Sequence, residues 1–134
     1  MLQWIQSKKN IQTCSFEHIQ QYISGFQYLP FLLINTLQLH MQHCLIDKTT
    51  LASVEEDIIN QHIDNNQYDV AIIVYGKNSM DTSADLKYKQ FIKLGFTNVH
   101  LYRGGLFEWL LLQDIYGFDQ FKTTVKVLDI LKYK

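Results

Sequence analysis

The chain has 134 residues and 15.8 kDa, with 47% hydrophobic, 13% aromatic and 19% charged residues. This is the size of one average domain, and the composition suits a packed core while excluding a disordered or fibrous segment. Twelve basic against thirteen acidic residues give a formal net charge of -1, so no global field draws the chain to nucleic acid or to anionic lipid. At the N-terminus, Met1 to Ile5 runs at once into Gln6, Ser7, Lys8 and Lys9, which leaves no apolar region of signal-peptide length. The two cysteines, Cys14 and Cys44, are too few for a disulfide framework. The expectation is a cytoplasmic protein without a membrane partner. Phe16, Ile19 and Ile23 recur at helical spacing after the cap candidates Thr13 and Ser15, with Gly25 as a stop, and predict a helix over 16–24. The longest apolar run, Tyr28 to Ile34, is broken by the only proline, Pro30, and is too short to span a bilayer. Its later part, Phe31 to Asn35, reads as a strand covered on both faces.

Ser53 and Glu56 form an S-x-x-E capping pattern ahead of the stripe Val54, Ile58, Ile59 and Ile63, which predicts a helix over about 54–65. Glu55, Glu56 and Asp57 would complement the positive end of that helix. The uninterrupted, β-branched run Val70 to Tyr75 is the strongest strand and is expected at the centre of the sheet. A loop, a helix from about Ser83 to Leu94, a cap at Gly95 and a third strand, Asn98 to Tyr102, follow. Strand, helix and strand in this order imply a right-handed parallel crossover. Gly104 and Gly105 turn the chain into a helix that Gly117 closes, and Phe121 to Leu131 reads as a last amphipathic segment, making 118–134 a helical extension packed through Val125, Leu128 and Leu131. No repeat or linker divides the chain, so 1–134 is expected to form a single domain of α/β class, with helices on both faces of a mostly parallel sheet.

The segment Val70 to Trp109 resembles the C-terminal half of a rhodanese-like domain: an apolar strand, a six-residue loop, a helix, G-F-x-N-V as Gly95, Phe96, Asn98 and Val99, and G-G-x-x-x-W as Gly104, Gly105 and Trp109. Upstream, Phe31 to Asn35 resembles the strand that in the family ends in D-x-R, and His43 stands where a G-H-I histidine would; the likeness covers about residues 11–117. The resemblance implies a sulfurtransferase fold whose active loop begins with cysteine and reads C-x-x-G-x-R. Here that loop reads Gly76, Lys77, Asn78, Ser79, Met80 and Asp81, and the D-x-R positions hold Asn35 and Leu37. A glycine cannot carry a persulfide, and Asp81 in the place of the arginine opposes an anionic donor. The resemblance therefore implies a catalytically inactive domain, a pseudoenzyme, that acts by protein binding or regulation.

Two residues stand as weak catalytic alternatives. Cys44 beside His43 would make a divergent sulfurtransferase if the imidazole lowered the thiol pKa, and Ser79 would need a base that is not evident nearby. Each also reads more plainly, Cys44 as a buried small hydrophobe and Ser79 as a loop serine. His40, His43, Cys44, Cys14 and His18 invite a zinc reading, but no C-x-x-C or H-E-x-x-H spacing supports it, so no metal is expected; His62 and His100 read as structural or surface histidines. Neither a dinucleotide fingerprint nor a phosphate-binding Walker loop occurs, and no cofactor is expected.

In open α/β sheets ligands bind outside the carboxyl ends of the strands, where the loop 76–81 and the turn after Tyr102 share one edge. The helix start after the loop favours a negative group, so a small-anion sensor is an open alternative. Arg103, the only arginine, stands at the rim with Gly104 and Gly105, either as a solvated turn residue or as an anchor for an acidic group. Leu106 to Ile115 is apolar on nearly every side, which implies burial or a partner surface continuing into Tyr116, Phe118 and Phe121. The partner, an unidentified protein or a small anion, and the oligomeric state are not legible.

Overall fold

Three short runs of β-branched and aliphatic residues become the strands β1 (Phe31–Asn35), β2 (Ala71–Tyr75) and β3 (Val99–Tyr102) of the computed structural model, which describes residues 11–25 and 30–134. The N-terminal stretch 1–9 and Tyr28 of the apolar run lie outside the described residues. The strands form one parallel sheet in the order β1-β2-β3, with β2 central as its composition predicts. Phe31 pairs with Ala71 through to Asn35 with Tyr75, and Ile72 pairs with Val99 through to Tyr75 with Tyr102. Single bridges from Thr13 to Leu101 and from Thr49 to Leu33 continue the ladder on both sides, so neither outer strand offers a long unpaired edge.

Alternation along the strands makes two cores. On one face Leu33, Ile73, Tyr75 and Tyr102 pack with Ile19 of α1 (Phe16–Ile23) and with Leu106, Trp109 and Leu110 of α4 (Gly105–Tyr116). On the other, Ile34, Ile72, Val74 and Leu101 pack with Ile59 of α2 (Ala52–Asp64) and with Ala84, Tyr88 and Phe91 of α3 (Thr82–Leu94). Helices therefore cover both faces, as expected. Gly95 closes α3 at φ 106°, a conformation that an L side chain resists.

Two expectations are corrected. The helix α2 begins at Ala52 with Leu51 at its cap position and no side-chain cap, so Ser53 lies inside the first turn and its capping pattern with Glu56 is not used. The Thr50 N–H donates to the Leu33 carbonyl at 2.8 Å; the chain is held at the sheet until that point and turns helical directly after it. The segment 118–134 is not a helical extension. It runs as an irregular strap, with one 3-10 turn at Ile130–Tyr133. Its backbone is drawn into cross-chain bonds: the Asp47 N–H donates to the Lys122 carbonyl (3.0 Å), the Thr124 N–H donates to the Leu45 carbonyl (2.8 Å), and Thr123 bridges Ile46. Val125, Leu128 and Leu131 are exposed, while Phe121, Thr123 and Tyr133 bury instead. The Phe121 ring meets Trp109 edge-on at 5.1 Å, and the Trp109 Nε1–H donates to the Lys122 carbonyl (3.0 Å).

Candidate functional site

The carboxyl ends of β1, β2 and β3 deliver Thr36, Gly76 and Arg103 to one edge. Between β2 and α3 the loop 76–81 folds tightly around the Asp81 carboxylate. Its Oδ2 accepts the Lys77 N–H (2.9 Å) and the Thr36 hydroxyl (3.3 Å), and its Oδ1 accepts the Ser83 N–H (2.9 Å). Asp81 is thus the N-cap of α3, where a carboxylate meets free N–H groups and the positive end of the helix. Asn78 supplies a second internal brace: its Oδ1 accepts the Met80 N–H (2.9 Å), and its carboxamide donates to the Tyr133 carbonyl (3.1 Å), tying the loop to the C-terminal strap.

The loop is also clamped to α4. The Leu106 N–H donates to the Gly76 carbonyl and the Phe107 N–H to the Lys77 carbonyl, each at 2.9 Å, so the first free donors of α4 point at the loop backbone. Gly105 makes this approach possible: at φ +68°, a Cβ there would lie 2.7 Å from the Gly76 oxygen and 2.9 Å from the Asn78 nitrogen. At Gly76 the obstruction is different. A Cβ at that position would run into the Asp81 carboxylate, 2.8 Å from its Cγ. The space between the loop and the turn after β3, walled by Gly76, Asp81, Asp85 and Arg103, has no room for a water molecule.

Arg103 is exposed at the rim beside the loop and carries an ion pair there. Its guanidinium donates to Asp85 of α3 at 3.1 Å. Gly104 precedes α4 at its cap position, half-buried. Of the sequence candidates, Gly76, Lys77, Asn78, Asp81 and Arg103 meet at this edge, and Ser79 is exposed in the loop. Cys44 does not join them as a nucleophile. It is fully buried, its thiol donates to the Val125 carbonyl (3.5 Å), and burial pushes its pKa up. Adjacent His43 is exposed and accepts from the Lys132 ammonium at 3.0 Å. Burial also pushes the Cys14 thiol up, to about 12. Both therefore lack the thiolate character that sulfur chemistry requires near neutral pH. His18 stacks on His100, with centroids 6.5 Å apart, and among the described residues no three His, Cys, Asp or Glu side chains gather as a metal would need.

One participant escapes a reading of residue patterns. Thr36, directly after β1, carries no local signal. The role of Asp81 as a cap had one, because an aspartate immediately precedes the helical stretch. At the D-x-R positions, the buried Asn35 uses its Oδ1 to accept the Leu37 N–H (3.0 Å) and shapes the turn out of β1.

The family model for the rhodanese-like domain matches residues 17–112. The chain belongs to the rhodanese-like domain family. Among solved structures, the Alr3790 protein from Anabaena sp. is similar to this rhodanese-like domain with a TM-score of 0.61 at 16% identity, covering 90% of this chain and 100% of that one. The yeast protein Ygr203w, described as a protein tyrosine phosphatase of the rhodanese family, has a TM-score of 0.63 at 13% identity and covers 91% of this chain and 97% of its own. At such identities these likenesses concern the fold. No curated protein matches the sequence at a significant level. Among the described residues of the rhodanese-like domain no helix is long and apolar enough to cross a membrane.

Proposed function

We propose that this chain is a single, catalytically silent rhodanese-like domain that acts in the cytoplasm as a protein-binding or regulatory module. The observation that carries the reading is the exchange at the loop: Gly76 offers no nucleophile, and the Asp81 carboxylate occupies the space into which a side chain at position 76 would grow. Covalent catalysis needs an activated sulfur, oxygen or nitrogen within the loop. Glycine supplies none for sulfane sulfur, nor for a phosphate ester of the kind implied by the description of the yeast protein. The small-anion alternative meets the same carboxylate, which already accepts the Lys77 and Ser83 N–H groups and would repel a second anion. Binding and regulation need no such group and are compatible with the exposed rim of the loop. Incubation with thiosulfate and cyanide tests the reading: the parent should release no thiocyanate above background, as should Cys14→Ser and Cys44→Ser. Release that disappears in Cys44→Ser would establish the divergent sulfurtransferase instead.

A further inference from the structure

The strap is held unevenly along its length. From Gln120 to Val125 the backbone is laced to the body: the Gln120, Phe121 and Lys122 carbonyls accept from Gln20, Gln113 and Trp109. Thr123 and Thr124 pair with Ile46 and Leu45, and the Val125 carbonyl accepts the Cys44 thiol. Among the described residues, the stretch from Lys126 to Lys134 has only two hydrogen bonds to the rest of the chain. The Asn78 carboxamide donates to the Tyr133 carbonyl (3.1 Å), and the Lys132 ammonium meets the exposed His43 ring (3.0 Å). Leu128 and Leu131 face water, Val127 and Ile130 rest on the core, and Tyr133 alone is fully buried. Its ring belongs to the cluster that holds Cys44, Tyr75 and Leu106. Its hydroxyl is buried there with no hydrogen-bond partner among the described residues. Few buried contacts and few bonds to the body mark a segment that opens locally. A buried hydroxyl without a partner also weakens the very contact that closes it. Tyr133 is thus a plug whose ring fills the cavity while its hydroxyl mismatches it, and the cavity suits a ring that carries no hydroxyl.

We infer that residues 126–134 form an autoinhibitory latch, in which Tyr133 occupies the cavity that takes a phenylalanine ring of a partner protein. The inference rests on the binding-module reading and names the surface and the anchoring residue. A phenylalanine brings the same ring with no hydroxyl to desolvate, and so has the advantage over the resident side chain at equal concentration. Tyr133 is tethered, however, and its high effective concentration keeps the latch shut until a partner adds contacts of its own. Opening also uncovers Cys44. Lys132 is bonded to His43, the neighbour of Cys44, and Tyr133 packs in the same cluster as the thiol. Lifting the turn takes cover away from that thiol, which makes it a reporter of the latch.

The test reads Cys44 in the full chain carrying Cys14→Ser, through its rate of reaction with 5,5′-dithiobis(2-nitrobenzoate) under native conditions. Against that background, Tyr133→Ala should react at least about tenfold faster and Tyr133→Phe at least about threefold slower. Ile19→Ala truncates the same core from α1 and controls for general destabilisation; its rate should stay within about twofold of the background. N-acetyl-phenylalanine amide, titrated into Tyr133→Ala, should slow the thiol again, with N-acetyl-tyrosine amide at least about threefold weaker. In the parent chain the phenylalanine amide should shift the backbone resonances of Asn78, Lys132 and Tyr133 as the turn is displaced. A thiol that reacts no faster in Tyr133→Ala than in Ile19→Ala, or no slower in Tyr133→Phe, overturns the latch. A cavity that takes the tyrosine amide as tightly as the phenylalanine amide, or takes neither, overturns the phenylalanine-bearing partner. Parent resonances that stay in place overturn the displacement. Thiocyanate release, by contrast, would strike the silent-domain reading and leave the latch to be judged by the thiol rates.

Discussion

The interdependence of Gly76 and Asp81 can be measured as a coupling energy. The backbone of Gly76 is outside the left-handed region, so an alanine is conformationally admissible, and by restricting the unfolded chain it would by itself stabilise by about 0.5–1 kcal/mol. Its Cβ, however, would lie 2.8 Å from Asp81 Cγ and 2.9 Å from Asp81 Cβ. The carboxylate would have to leave the Lys77 N–H, the Ser83 N–H and the Thr36 hydroxyl. Loss of the cap costs about 1 kcal/mol, and loss of the half-buried bond to Lys77 about 1–2 kcal/mol more. Gly76→Ala should therefore destabilise by roughly 1–2 kcal/mol net, lowering Tm by about 4–8 °C for a domain of this size. In an Asp81→Gly background the same substitution meets neither the carboxylate nor a Cβ at position 81 and should be neutral or slightly stabilising, giving a coupling of about 2 kcal/mol. Urea and thermal unfolding of the four proteins, followed by far-UV circular dichroism, yields the cycle. Equal costs of Gly76→Ala in the two backgrounds would refute the idea that the carboxylate occupies that space.

Gly105→Ala should cost at least about 2 kcal/mol, because it combines a left-handed backbone with a contact against the loop; a variant that melts like the parent would contradict the clamp. Tyr133→Phe should raise Tm by about 4 °C, since the buried hydroxyl finds no partner among the described residues and its removal relieves about 1 kcal/mol. A lower Tm would show that the hydroxyl is satisfied. For His100, burial first and neighbouring His18 second hold the imidazole pKa below its ordinary 6.5. The folded state then binds fewer protons than the unfolded one, so this contribution to stability is complete above pH 6.5 and is lost as the pH falls below it. Thermal melts between pH 7.5 and 5.5 should show a smaller acid-side decline for His100→Gln than for the parent; identical declines would remove His100 from the account.

The sheet was legible because its signals are local. Each strand is an apolar run bounded by a breaker or polar turn, and Gly25, Gly95 and Gly117 end helices where their positive φ is needed. Leu106 to Ile115 could not be resolved by pattern alone, and the helix proves divided: Leu106, Trp109 and Leu110 are buried, whereas Ile115 and Tyr116 face solvent. The strap misled because Val125, Leu128 and Leu131 repeat at helical spacing, yet the decisive contacts are long-range. Ile46 and Leu45 capture Thr123 and Thr124 in an extended conformation, and the β-branched pair favours it. At the loop, the absence of cysteine was readable from position 76 alone. That Asp81 turns back into the space beside it depends on Thr36, 45 positions away in the chain, and no spacing rule contains that contact.

The claim that the domain is silent is tested most directly by exposing the intact protein to thiosulfate and measuring its mass. Burial keeps Cys14 and Cys44 as neutral thiols, so the account predicts an unmodified protein and no sulfur transferred when cyanide is added. A sulfane adduct on either cysteine that cyanide removes as thiocyanate would contradict it.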